Sequence, residues 1–306
     1  MAPTPDLVCI GHVISEMIYF PDAVKGPFLG SPPAYCSVAA ARQNTRTGMS
    51  TKIGSDMPQE LLQPLIQAGV DMTGIQTTDR TTTTELIYDE QGHKEIRYPT
   101  KATPITAEDI PKPYHGCRLI YICPMDNDVL TEDLPDVVAL GEISAVDLGG
   151  YGGVHMSVAN REATPSLEDL ACGVAERFDI VKASDEDAAT IFGWDDPNKA
   201  AKRFLDRGAS VSVITLGPKG ALVLTRENRW EIPPLSGNVT DTTGGGDTFM
   251  AGFLSEYLRS ADPLKAAQWG CATAICVIEQ SGGVSIERMP AHEQVEERVN
   301  LGYYGN

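Results

Sequence analysis

With 306 residues, 42% of them hydrophobic, the chain can bury a substantial core and suits one large α/β domain or two smaller ones. Its 24 basic and 42 acidic residues give a formal net charge of −18. A surface that acidic repels phosphate backbones and anionic lipid, which argues against nucleic acid and membrane as partners. An anionic nucleotide remains compatible if a helix N-terminus and backbone N–H groups supply local positive potential.

The seven cysteines contain no CxxC pair, and several sit in apolar patterns. They read as buried, reduced thiols, so a cytoplasmic protein is expected. The five histidines show no ligand spacing such as HExxH. The N-terminus MAPTPDLVCIGHV reads as the start of a first strand, not a signal peptide. No apolar run approaches a membrane span.

In chain order, apolar runs of strand length fall at Leu7–Ile10, Leu119–Cys123, Ala145–Leu148, Ile180–Lys182 and Val211–Thr215. Between them lie helix candidates at Ala34–Gln43, Gln59–Gln67, Ser166–Arg177, Asp185–Phe192 and Asn198–Arg207. This alternation predicts an α/β fold: a mainly parallel sheet with helices on both faces and ligands beyond the C-terminal strand ends. One stretch breaks it. Thr82–Asp89 and Lys94–Tyr98 are β-type runs joined by Glu90-Gln91-Gly92-His93, a hairpin signal, and Met17–Phe20 is another β-type run. Together they predict a small separate sheet. Pattern alone leaves a lid over the active site and a decorative edge equally open.

The stretch Asp241-Thr242-Thr243-Gly244-Gly245-Gly246-Asp247 carries the most chemistry. Three consecutive glycines cannot form a stable helix interior, but an amphipathic run to Leu258 follows them. They read as a tight loop feeding a helix N-terminus, an anion site with Asp247 in the first turn beside it. Phosphoryl transfer needs that pairing: fixed donors for the developing charge, and a carboxylate to take the proton of the attacking hydroxyl. From spacing alone, a plain glycine turn followed by a dipole-favoured aspartate fits as well.

The stretch resembles the DTTGAGD signature of the ribokinase (PfkB) family, with Gly245 where the family usually has Ala. The resemblance runs along nearly the whole chain. It implies a single kinase domain over residues 1–306, a three-layer α/β/α sandwich with lid strands from about 12–22 and 82–100. It also implies an ATP- and magnesium-dependent kinase acting on a small sugar or polyol, with a nucleoside acceptor or a non-catalytic binding homologue as alternatives. Asp247 would be the base, and the N–H groups of Gly244, Gly245 and Gly246 would hold the transferring phosphoryl. Thr242 and Thr243 belong to the same loop, and Thr215, Gly217 and Gly220 match a turn close to ATP. Ala274 falls on the helix flanking adenine. Asp241, Thr243 and Gly282 match a monovalent-cation site, which brings in potassium. Lys182, Ser184 and Asp187 lie at the family's NxxE box, with Ser184 for Asn and Asp187 for Glu, where Asp187 would reach magnesium through water. Helix capping suits Ser184 equally well.

The acceptor end departs from the family. Gly30 and Ser31 stand at a GGxxxN motif that keeps one glycine, Tyr35 replaces its Asn, and Glu16 replaces a sugar-binding Asp. Asp147 matches a strand end facing the substrate cleft. These departures move expectation away from ribose, and the AYxS pattern with the Thr81–Thr84 run is similar to the archaeal myo-inositol kinase branch. The resemblance further implies a homodimer formed through the lid.

Overall fold

The computed structural model describes residues 3–90 and 94–304. Gln91, Gly92 and His93 of the expected hairpin turn lie outside the described residues. The strands are β1 (Leu7–Ile10), β2 (Ile14–Phe20), β3 (Ala23–Gly30), β4 (Thr47–Gly54), β5 (Asp71–Thr78), β6 (Thr82–Tyr88), β7 (Lys94–Thr100), β8 (Cys117–Ile122), β9 (Gly141–Asp147), β10 (Ile180–Ser184), β11 (Val211–Thr215), β12 (Ala221–Leu224) and β13 (Arg229–Ile232). The helices are α1 (Pro32–Arg42), α2 (Gln63–Ala68), α3 (Leu134–Val138), α4 (Val158–Ala163), α5 (Leu167–Ala175), α6 (Asp185–Phe192), α7 (Pro197–Asp206), α8 (Gly245–Ser260), α9 (Pro263–Ile278) and α10 (His292–Val299).

Among the described residues, nine strands form one sheet in the order β13-β12-β11-β10-β9-β8-β1-β4-β5. Pairing is parallel from β5 to β11, and β12 and β13 close the edge antiparallel. Strand periodicity builds two cores at once. Leu7 and Cys9 of β1 join Leu119 and Tyr121 of β8 in one core, with α1, α2, α8 and α9. Val8 and Ile10 join Ile120 and Ile122 in the other, with α3, α5, α6 and α7. This is the ribokinase-like α/β architecture.

The segments that broke the alternation form a second sheet in the order β3-β2-β6-β7, with β2 and β6 parallel. Its strands leave the main sheet directly after β1 and after β5.

Element boundaries move where the backbone demands it. α1 starts at Pro32, two residues early, because proline suits a first helical turn. The helix expected over 59–67 is instead a 3₁₀ turn (Gln59–Leu62) followed by α2. Pro64 has no N–H to give the Glu60 carbonyl, so the α-ladder cannot run through it. All seven cysteines are free thiols, and no helix among the described residues is long and apolar enough to cross a membrane.

Candidate active site

The glycine loop ends at Gly244, whose φ of 76° makes it the left-handed N-cap of α8. A side chain there would collide with the Tyr35 ring, so glycine serves both dihedral and packing. Asp247 sits half-buried in the first turn of α8, where helix geometry points N–H groups out of the helix end. One expectation changes: the Gly245 N–H donates to the Thr242 carbonyl at 3.1 Å. In this state it closes the turn instead of facing a phosphoryl group. Thr248 ties the helix start down, its hydroxyl donating to the Gly244 carbonyl at 2.7 Å.

A buried charged cluster lies beside the loop, at the C-terminal ends of β9 and β10. The Lys182 ammonium donates to Asp147 at 2.8 Å, and it sits 3.5 Å from where a Cβ on Gly246 would be. Burial alone would pull the Lys182 pKa down. The carboxylates of Asp147, Asp187 and Asp247 outweigh that and raise it, so the lysine stays charged. Asp147 also accepts the Gly149 N–H at 2.9 Å. Expected to face an acceptor, it is instead the counter-ion of Lys182 and the anchor of the following turn. Burial likewise opposes ionisation of Asp187, but Lys182, His155 and two backbone N–H groups hold its pKa below the usual carboxylate value.

Ser184 caps α6. Its hydroxyl accepts the Asp187 N–H at 2.9 Å, and the Asp187 carboxylate accepts the Ser184 N–H at 2.8 Å. The Asp187 carboxylate also accepts the Val154 N–H at 2.9 Å. Among the described residues, no group of three or more His, Cys, Asp or Glu side chains is arranged to hold a metal ion. That fits magnesium, which usually binds through one or two carboxylates, nucleotide phosphates and water. Asp187 would meet it through water, since carboxylate oxygens that accept one bond keep further lone pairs.

The small sheet carries the expected acceptor residue Glu16. Glu16 and Thr84 are opposite each other in the β2–β6 pairing, and the Thr84 hydroxyl donates to Glu16 at 3.2 Å. Farther along the same strands, Phe20 and Tyr88 stack with centroids 5.2 Å apart. Strand alternation puts all four side chains on one face. Burial first, and then the negative charges of Asp241 and Glu16, raise the Tyr88 pKa. Gly30 ends β3, and Ser31 follows it as the N-cap of α1. The Ser31 hydroxyl is buried with no hydrogen-bond partner among the described residues, and its backbone is held at φ 95° and ψ 148°.

Tyr35 differs from expectation. It is buried, but its phenol oxygen accepts from Arg288 at 3.1 Å and its O–H donates to the Gly282 carbonyl at 3.4 Å. The polar contact expected for an acceptor is committed to the loop scaffold.

Of the residues expected near ATP, Thr215 ends β11 beside Ser184 in register. Gly217 lies in the exposed turn that follows, and Gly220 closes that turn against the Ile232 carbonyl, where a Cβ would clash. Thr242 is exposed, and Ala274 is half-buried on α9. Asp241, Thr243 and Gly282 do come together: Asp241 accepts the Thr243 N–H at 2.9 Å and the Gly282 N–H at 3.2 Å. Sequence reasoning missed the residue that organises them. Arg288, 2% exposed, donates to the carbonyls of Thr243 at 2.7 Å, Asp241 at 3.4 Å, Val277 at 3.2 Å and Gln280 at 3.1 Å, and to that of Gly282. Nothing in Ile286-Glu287-Arg288-Met289 signals this, because its partners are backbone atoms distant in sequence.

Residues 33–289 match the model of the pfkB family carbohydrate kinases. The chain belongs to the PfkB family. It is therefore a sugar or nucleoside kinase, a phosphotransferase of the PfkB type. Among its relatives is a cytidine kinase of Thermococcus kodakarensis, 31% identical over 286 residues, covering 92% of this chain and 99% of that protein. Solved PfkB-type folds superpose closely. A pyrophosphate-dependent kinase of the ribokinase family, complexed with a pyrophosphate analog and myo-inositol, gives a TM-score of 0.79 at 19% identity, covering 95% of this chain and 99% of that one. A fructokinase double mutant of Vibrio cholerae bound to fructose, ADP and potassium gives 0.77 at 20% identity, covering 98% of this chain and 100% of that one.

Proposed function

We propose that the chain transfers the γ-phosphate of ATP to a hydroxyl of a nucleoside. The observation that carries this reading is the inner face of the small sheet. Glu16, bonded to Thr84, offers a carboxylate that suits adjacent ribose hydroxyls. The stacked Phe20–Tyr88 pair next to it offers an aromatic surface for a base. The long alignment with a cytidine kinase supports the same class. Asp247 accepts the proton of the attacking hydroxyl, and the start of α8 faces the transferring phosphoryl with its N–H groups. Lys182, charged and beside Gly246, adds a fixed positive charge there. Asp187 would hold magnesium through water, and the ion, when bound with the nucleotide, would neutralise charge at the phosphates. The small sheet acts as a lid that excludes water.

A small sugar or polyol is the second reading. The unpartnered, buried Ser31 hydroxyl favours it, because with Glu16 it offers convergent polar contacts that a hydroxyl-rich ring can fill. A coupled assay decides between the two. Cytidine, other nucleosides, ribose, fructose and myo-inositol are compared as acceptors, with ATP or pyrophosphate as donor. A nucleoside is expected to give the highest kcat/KM with ATP. A higher value for a free sugar or polyol establishes the second reading, and preference for pyrophosphate removes ATP as donor.

A further inference from the structure

Arg288 is a buried cation whose donors go to backbone carbonyls and a phenol oxygen. Its guanidinium has N–H donors in a planar fork, and here the fork reaches across two segments. The carbonyls of Asp241 and Thr243 come from the glycine loop. Those of Val277, Gln280 and Gly282 come from the end of α9 and the turn after it. The Tyr35 phenol oxygen completes the set at 3.1 Å. These are the segments where the family resemblance places a monovalent cation.

Such an ion needs several oxygens converging on one point. Here Thr243 and Gly282 already turn their carbonyls to the guanidinium. Both Asp241 carboxylate oxygens turn to backbone N–H groups of Thr243 and Gly282. A second cation on these carbonyls would lie within a few ångströms of the guanidinium, and two like charges at that separation repel strongly in a site with little water. The donor set therefore does not fit a free ion.

We infer that the Arg288 guanidinium is a built-in replacement for the monovalent cation. It permanently bridges the glycine loop and the 277–282 turn, so this kinase needs no potassium. Arg288 thus acts as a positioning residue. It touches neither reacting atom, but it fixes the loop that carries Gly244 and Asp247 and leaves a positive charge behind it.

The test begins with the wild-type protein, melted in potassium chloride and in choline chloride at equal ionic strength. A bound ion would raise Tm by about 2–4 °C for each kcal/mol of linkage in a chain of this size. The expected difference between the salts is smaller than that. A potassium-specific rise overturns the inference. Melting requires neither donor nor acceptor, so a failed nucleoside assignment leaves the outcome of this comparison intact. Calorimetric ATP affinity is the second readout. It is expected to agree between the salts to within about fivefold, the lower end of typical site-to-site coupling. Arg288→Ala vacates the carbonyls. That variant is expected to bind ATP more weakly by more than about fivefold in choline, and to recover affinity and Tm in potassium. A folded Arg288→Ala protein with unchanged ATP affinity in choline overturns the inference. If the variant does not fold, the wild-type comparison decides alone.

Discussion

The Lys182 ammonium lies 2.8 Å from Asp147, with the two side chains 5% and 1% exposed. Removing one partner strands the other charge in a dry site. Lys182→Met is expected to destabilise the protein by about 3–5 kcal/mol, the usual penalty for breaking a buried pair from one side. Adding Asp147→Leu should recover much of that loss. Urea denaturation of these two and of Asp147→Leu alone measures it, and a double variant whose loss equals the sum of the two single losses would show that the pair is not coupled.

Asp247→Asn is expected to keep the fold and ATP affinity while kcat falls by roughly 10²–10⁴-fold, the contribution of a general base. Its place at the start of α8, behind the left-handed Gly244, motivates this. Retention of more than about a tenth of wild-type kcat removes Asp247 from the role.

Gly245 separates two kinds of crowding. A Cβ there would sit 3.1 Å from the Ile278 side chain, close enough that the isoleucine must shift slightly. Gly245→Ala should be mild. Gly245→Val adds two branches and limits the rotamers that avoid Ile278, so ATP affinity and kcat should both fall. Steady-state kinetics on the two variants check it, and similar behaviour would mean the loop is not tight.

Ser31 holds a backbone conformation that belongs to glycine, φ 95° and ψ 148°. A non-glycine residue there carries about 1–3 kcal/mol of strain. Ser31→Gly is expected to raise stability by up to that amount. If the unpartnered hydroxyl meets the acceptor, the same change raises acceptor KM and leaves the ATP KM alone. Glu16→Gln should move acceptor KM in the same direction. A Ser31→Gly protein with unaltered acceptor KM places the acceptor elsewhere.

Much of this molecule was legible in its sequence, for local reasons. β1, β11 and α6 fall on their expected bounds because each is short, apolar or capped, and closed by a turn residue. β4 and β5 were not seen: Thr47–Gly54 and Asp71–Thr78 are rich in Thr, Ser and Gly, and pairing alone makes them strands. β3 was hidden by its Gly and Pro residues. At the site, the glycine loop and Asp247 announce themselves by pattern. The roles of Asp147 and Tyr35 depend on which distant group meets them, Lys182 for one and Arg288 for the other. Spacing along the chain carries no trace of such meetings.

The way the small sheet is attached has a consequence for how kinases of this build diversify. Everything on its inner face, with Gly30 and Ser31 beside it, comes from two excursions, residues 14–31 and 82–100. The Lys182 cluster, the glycine loop and Arg288 come from residues 147–288, with Tyr35 joining them from the early part of the chain. If the acceptor binds this face as proposed, a lineage can rewrite its acceptor by mutating two short inserts without touching the interior proposed to move the phosphoryl group. Exchanging only those two inserts between relatives is the corresponding engineering route.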